Sequence, residues 1–372
     1  MTVASIARND DERAEAMGLA QYCESALVEV IPNRTAWART VAWLPTTRPS
    51  SFGYFYSSAL ARRIDQELRS GTYDLVFVHA SSVAPYIRST HAARILDYGD
   101  IDSQKWRDYS LHRRFPLSAG YWLEAVKLER VERQLSEHFD LCTCTTRGEL
   151  DSLRELGVTT RTDWFPNGVD AEFFAPSAAP YDKNLIVFVG RMDYFPNQQA
   201  VIGFCNEVLP RLAARRPEIR FEIVGADPSR EILALGKLAN VSVTGSVPDV
   251  RPFVTRAALT VASLQIARGT QNKILESMAM GVPVVCSERA AAGVDVVAGE
   301  HLLTAREPSE YVEAIERLLA SPAERDRLAR AGRERVLSQH GWASSMRRVD
   351  TLIMGVIERR ARGVDSGLRS NG

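Results

Sequence analysis

Eleven short runs of strand-forming residues, at 2–6, 26–31, 75–79, 94–97, 140–145, 185–190, 220–225, 241–244, 259–263, 283–287 and 301–304, restrict the fold more than any other feature of the chain. Many are apolar at successive rather than alternate positions, as in Val187-Phe188-Val189 and Val284-Val285-Cys286. A strand of that kind is covered on both faces, the condition of a parallel sheet. Helical periodicity fills the intervals, over 57–70, 121–138, 198–215, 272–280 and 308–319 among others. The predicted class is therefore α/β, with right-handed crossovers winding helices over both faces of each sheet.

At 372 residues the chain outgrows a single core, so two lobes are expected. Phe165-Pro166-Asn167-Gly168-Val169-Asp170 interrupts regular structure, a polar stretch follows over 175–183, and a fresh apolar strand begins directly after it. This places one lobe at 1–168 and the other at 169–342. The C-terminal helix within 343–372 can pack on either lobe and is free to join the first. Forty-six Lys and Arg balance forty-six Asp and Glu, which argues against nucleic acid as a partner. No run of about 20 apolar residues is present, and the opening MTVASIARNDDERAEA lacks the basic and apolar regions of a secretion signal. A cytoplasmic protein is the expectation. Five cysteines, Cys23, Cys142, Cys144, Cys205 and Cys286, form no zinc-ligand spacing and read as reduced, mostly buried thiols.

In open α/β sheets ligands bind beyond the carboxyl ends of the strands, so strand-to-helix turns are where function is sought. After strand 259–263 the chain reads Arg268-Gly269-Thr270-Gln271-Asn272-Lys273, with Glu276 following. Gly269 and Thr270 open a turn, and the free N–H groups at the start of the next helix form an anion site. Lys273 lies on the first turn of that helix, and Glu276 is on the same face at i+3. The cation suits a diphosphate and the carboxylate suits a ribose diol. The spacing equally fits a solvated intrahelical pair worth a few tenths of a kcal/mol. Gly190-Arg191 ends another buried strand, where the guanidinium either grips a phosphate in a fork or is an ordinary exposed loop residue.

The ordered set Pro166-Asn-Gly-Val-Asp170, Phe188-Val-Gly-Arg191, Val224-Gly225, Gly245 to Pro248 and Lys273-Ile-Leu-Glu276-Ser-Met-Ala-Met-Gly-Val-Pro-Val-Val285 resembles the retaining GT-B glycosyltransferases of family 4. Val250-Arg-Pro-Phe253 and Ala267-Arg-Gly-Thr-Gln-Asn-Lys-Ile-Leu-Glu276 look like the sugar transferases of bacterial exopolysaccharide clusters. The resemblance covers nearly the whole chain. It implies two Rossmann-like lobes with parallel sheets facing a central cleft, an acceptor-side lobe first and a nucleotide-sugar lobe second. It implies transfer, with retention, from a nucleotide diphosphate sugar to a saccharide or lipid-linked saccharide in exopolysaccharide or envelope glycan synthesis.

By the same resemblance Glu276 binds the donor ribose, Lys273 and Arg191 the diphosphate, and 269–272 the phosphates or the sugar. Val247, within Ser246 to Asp249, edges the nucleobase. The donor is a substrate, and neither cofactor nor metal is implied, since helix ends and cations neutralise the leaving diphosphate. Arg268 departs from the pattern, because many members carry a glutamate eight positions before the one matching Glu276. The start also departs from it: the chain reads as though it opened at the second strand, about one β-α unit late. A non-catalytic nucleotide-sugar-binding protein and a two-lobed sugar-nucleotide epimerase stay open as alternatives. A nicotinamide oxidoreductase is disfavoured because no strand is followed by Gly-x-Gly-x-x-Gly.

In the first lobe Asp97-Tyr-Gly-Asp100-Ile-Asp102 follows strand 94–97, and Asp100 or Asp102 could orient an acceptor hydroxyl; Asp102 or Ser103 would equally serve as a helix N-cap. His79, at the end of the preceding strand, reads as a satisfied strand-end residue. Basic and aromatic residues crowd 105–133, which fits either peripheral contact with the inner face of a membrane or a solvated helix with an ordinary core stripe.

Overall fold

The computed structural model describes residues 1–71, 73–87 and 90–369, with side chains described as far as residue 362. Residues 370–372, part of the C-terminal helical expectation, lie outside the described residues. The chain divides into two compact units, one formed by residues 1–165 with the chain from 349 onward, the other by residues 166–348.

In the first unit, β1 (Thr2–Ala7) and β2 (Ser25–Val30) pair in parallel as a two-stranded sheet. A second sheet holds β3 (Leu75–His79), β4 (Ala93–Asp97), β5 (Leu141–Cys144) and β6 (Thr162–Trp164) in chain order, all parallel. Val356 of the C-terminal helix is buried against Ala93, Ile95 and Leu141, and Arg360 pairs with Asp140 at 2.8 Å.

The second unit carries one six-stranded parallel sheet of β7 (Asp182–Val189), β8 (Arg220–Val224), β9 (Val241–Gly245), β10 (Ala257–Ala262), β11 (Val284–Ser287) and β12 (Leu303–Ala305). Its strand order is β9-β8-β7-β10-β11-β12. The order reverses between β7 and β10, which is the switch point where open α/β sheets take ligands. Every residue of β10 and β11 is buried, matching their unbroken apolar runs.

Three sequence expectations are corrected. The short strand β6 is absent from the apolar runs because Thr162-Asp163-Trp164 is half-exposed at a sheet edge and only pairing with β5 defines it. The single helix expected over 198–215 is three segments, Phe195–Gly203, a π-helical turn Phe204–Val208, and Leu209–Arg215. Pro210 offers no N–H and its ring would clash one turn back, so the chain widens before it. The strand expected at 301–304 starts at Leu303, because Val297 N–H donates to His301 Nδ1 and Gly299 N–H to the Leu302 carbonyl, folding that stretch into a turn.

The helix Leu117–Ser136 also departs from an ordinary core stripe. It buries Glu124, Lys127 and Glu132 beside Ala125 and Leu128, while Trp122, Leu123 and Val126 face outward. All five cysteines are free, with Cys142, Cys144, Cys205 and Cys286 buried. Among the described residues no helix is long and apolar enough to cross a membrane.

Candidate functional site

At the switch point of the second unit, β7 is followed directly by Gly190, and the helix Asn272–Ala279 begins beyond β10. Lys273 reaches from the first turn of that helix to donate from Nζ to Asn197 Oδ1 at 2.6 Å, with the ammonium 4.4 Å from the Phe188 ring centroid. Asn197 is buried and oriented in turn, since its Nδ2 donates to the Arg191 carbonyl at 2.8 Å. The space for both groups exists because residue 190 has no side chain. A Cβ there would fall 2.7 Å from Asn197 Nδ2 and 2.9 Å from Lys273 Nζ.

Lys273 as a residue keeps some exposure, but its ammonium is desolvated, and this burial pulls its pKa down to about 7 against the opposing pull of Glu276. The Glu276 carboxyl is pushed up by burial and drawn back by Lys273. The Glu276 carboxylate makes no hydrogen bond or ion pair among the described residues, although its backbone carbonyl accepts from Met280 N–H at 3.0 Å. The intrahelical pair allowed by the spacing is therefore not formed: the cation is anchored on a neighbouring element and the carboxylate is left available. No side chain caps the helix start at Gln271, whose Nε2 instead donates to the Arg268 carbonyl at 3.0 Å.

The turn before the helix depends on glycine. Gly269 has φ of +61°, and a Cβ on Gly293 would lie 2.1 Å from the Gly269 carbonyl oxygen, so two backbones touch here. Arg268, Thr270 and Gln271 are half-buried and Asn272 is exposed. Arg191 is directed elsewhere: its guanidinium pairs with Asp193 at 2.7 Å and Asp227 at 3.2 Å, with the side chain 69% exposed. Val247 packs against the buried cluster of Leu185, Val187 and Val224. The structure thus brings together Gly190, Lys273 and Glu276, keeps Gly269 to Asn272 contiguous with them, and turns the Arg191 fork toward carboxylates. Asn197 escaped the sequence reading. Its signal was available: a polar residue after Pro196, at the start of the helix following β7.

In the first unit, strand register assembles a second group. His79, Asp97 and Thr143 lie side by side at the carboxyl ends of β3, β4 and β5. His79 Nδ1 is 2.7 Å from Asp97 Oδ2, and Thr143 donates to Asp97 Oδ1 at 2.9 Å. The hydrogen bond to buried Asp97 raises the imidazole pKa, although the ring is largely exposed. Gly99, at φ +64°, lets the chain turn close over the ring, a Cβ there coming 3.3 Å from His79 Cε1. Burial lifts Asp100 to about 6 and also raises Asp102, which accepts from Ser81 Oγ at 3.1 Å. The N-cap position of the helix Asp102–Leu111 belongs to Ile101, so neither Asp102 nor Ser103 caps it. Glu132 accepts from Ser103 N–H at 3.2 Å, leaves its Oε2 without a partner, and is pushed by burial to about 7. No group of His, Cys, Asp and Glu among the described residues has the geometry to hold a metal ion.

Comparison with known proteins agrees with this architecture. Residues 183–321 match the family described as glycosyl transferases group 1, and residues 10–173 match glycosyltransferase family 4. A D-inositol 3-phosphate glycosyltransferase of Frankia alni is 26% identical over 229 residues, covering 56% of each chain. Spore coat protein SA of Bacillus subtilis is 23% identical over 195 residues, covering 48% of this chain and 50% of that protein. The chain spans about half the length of these relatives. Among solved structures, a sucrose-phosphate synthase from Thermosynechococcus elongatus superposes with a TM-score of 0.67 at 17% identity, covering 96% of this chain and all of that one. Anabaena Alr3699/HepE in complex with UDP-glucose gives 0.64 at 14% identity, covering 98% of this chain and all of that one. The fold is the two-lobed parallel α/β architecture of GT-B proteins.

Proposed function

We propose that this chain, two GT-B lobes each matched by a glycosyltransferase family, is a glycosyltransferase that moves a sugar from a nucleotide diphosphate sugar to a saccharide acceptor, free or lipid-linked. The observation that carries the reading is the arrangement at the sheet's switch point, where Lys273 is fixed by Asn197 beneath a side-chain-free Gly190 and Glu276 stands unpaired one turn on. Lys273 and the uncapped start of its helix hold the diphosphate, with 269–272 contributing backbone N–H groups. Glu276 accepts from the ribose hydroxyls. Arg191 joins when a phosphate displaces its contacts with Asp193 and Asp227, an exchange of one exposed anionic partner for another.

Retention, metal independence and a role in bacterial exopolysaccharide or envelope glycan synthesis belong to the same reading. The leaving diphosphate is neutralised by the cation and helix end, and it shares in accepting the acceptor's proton. Arg268 stands where the family resemblance implies a carboxylate, and it either favours an acidic donor sugar or makes a further phosphate contact. Asp100 and Asp102 orient the acceptor hydroxyl from the first unit. Calorimetry with UDP-glucose, GDP-mannose and their uronic acid counterparts tests the donor site. Glu276→Ala is expected to weaken nucleotide-sugar binding by at least tenfold without changing the melting temperature; unchanged affinity would refute the assignment. Release of nucleoside diphosphate during incubation with donor separates a transferase from a binding protein.

A further inference from the structure

The inverted helix of the first unit has a neighbour of the same kind. Lys127 Nζ donates to the Leu44 carbonyl at 2.8 Å, joining the end of the helix Asn33–Trp43 to the middle of Leu117–Ser136. Around that tie both helices turn apolar side chains outward. Trp37, Val41 and Leu44 are 60%, 59% and 51% exposed, and Trp122, Leu123 and, on the preceding loop, Phe115 are also exposed. The contacts that would normally bury such residues are taken by polar ones, with Glu124 accepting from Ser51 N–H and Oγ.

The unpaired charge around this face is positive. Residues 34–48 contain Arg34, Arg39 and Arg48 and no Asp or Glu, and residues 111–130 contain Arg113, Arg114, Lys127 and Arg130 against Glu124, which is buried, and Glu129, which pairs with Arg107. Arg34, Arg114 and Arg130 are exposed and make no ion pair among the described residues. On the outward face of Leu117–Ser136 the apolar half, Trp122, Leu123 and Val126, runs into Arg130 and Arg133.

We propose that this face, formed by 34–48 and 111–130, docks on an anionic lipid bilayer. Tryptophan and phenylalanine settle at the headgroup level, the aliphatic side chains enter the acyl boundary, and the arginines lie over lipid phosphates with their stems along apolar surface. A second copy of the chain is a poor occupant, since the face meeting itself would oppose arginines with arginines, its one accessible acid, Glu129, being already paired with Arg107.

Flotation of the full chain with phosphatidylcholine vesicles, and with vesicles of equal parts phosphatidylcholine and phosphatidylglycerol, tests this without requiring activity. Recovery with the anionic vesicles is expected to exceed that with neutral ones at least tenfold in low salt, and to fall as ionic strength rises. Arg34→Glu with Arg114→Glu should lower anionic-vesicle affinity at least 25-fold, at about fivefold per lost cation. Trp37→Ser with Phe115→Ser and Trp122→Ser should abolish the salt-resistant remainder while leaving the melting temperature unchanged; if that variant unfolds, Phe115→Ser alone, on the exposed loop, supplies the measurement. Equal recovery of the wild type with both vesicle types would overturn the proposal. So would a dimer in sedimentation that the same substitutions dissociate.

Discussion

Donor binding should be coupled to the uptake of a proton at Lys273. Burial holds its pKa at about 7 in the unliganded protein. At pH 8 only about one-tenth of the molecules carry the ammonium, and at pH 6 about nine-tenths do. A bound diphosphate restores the charged form, so binding takes up about 0.9 proton at pH 8 and about 0.1 at pH 6. The affinity should accordingly fall about tenfold, or ~1.4 kcal/mol, from pH 6 to pH 8. Calorimetry in buffer pairs of equal pH and different ionisation enthalpy reads this directly. A nucleotide sugar is the proper ligand, because its diphosphate is esterified at both ends and lacks the phosphate proton that titrates near pH 6. Lys273→Met should bind weakly and lose the buffer dependence. Tight binding at pH 8 with the same heat in every buffer would refute the reasoning, as would a Lys273→Met variant with the same proton uptake as the wild type.

Gly190→Ala should cost about tenfold or more in nucleotide-sugar affinity: the new methyl displaces the ammonium from the buried, pinned Asn197 carboxamide, and a hydrogen bond to a charged group is worth about 1.5–3 kcal/mol. Wild-type affinity in that variant would show that the contact is dispensable. Glu132 tests the first unit. Its folded pKa of about 7 lies above the unfolded value, so the folded state holds more protons between about pH 4.5 and 7, and stability declines as pH rises through that window. Glu132→Gln should remove its share of the decline and raise stability at pH 8 by up to about 3 kcal/mol, read from urea midpoints at pH 5 and pH 8; equal pH dependence in both proteins would contradict it.

Much of this architecture is legible in the chain because burial on both faces leaves an unmistakable pattern. The 75–79 run is β3 to the residue, and the fully buried β10 and β11 lie within a residue or two of their apolar segments. What failed to show was whatever depends on partners rather than on local composition. The edge strand β6 has no apolar signal, and the π-helical turn before Pro210 looks like ordinary helix by periodicity. At the candidate site, Lys273 and Glu276 stand out by spacing, but spacing alone could not choose between a surface ion pair and a split arrangement. Asn197, 76 residues away in sequence, makes that choice, and only the fold brings it there. Likewise Asp97 reads as one acid among several near Asp100 and Asp102, until the register of three strands sets it between His79 and Thr143.

The closeness of β7 and β8 at their tips limits how this site can be altered. A Cβ on Gly225 would sit 1.8 Å from the carbonyl oxygen of Gly190, and one on Gly190 would strike Asn197. Main chain at Gly190 and Gly225 therefore closes the strand tips beside Lys273, and no substitution at these two positions fits without prying the strands apart. If the proposed donor site holds, a change in donor preference is expected to come through side-chain-bearing positions around it, such as Arg268, Thr270 and Val247, rather than through these glycines.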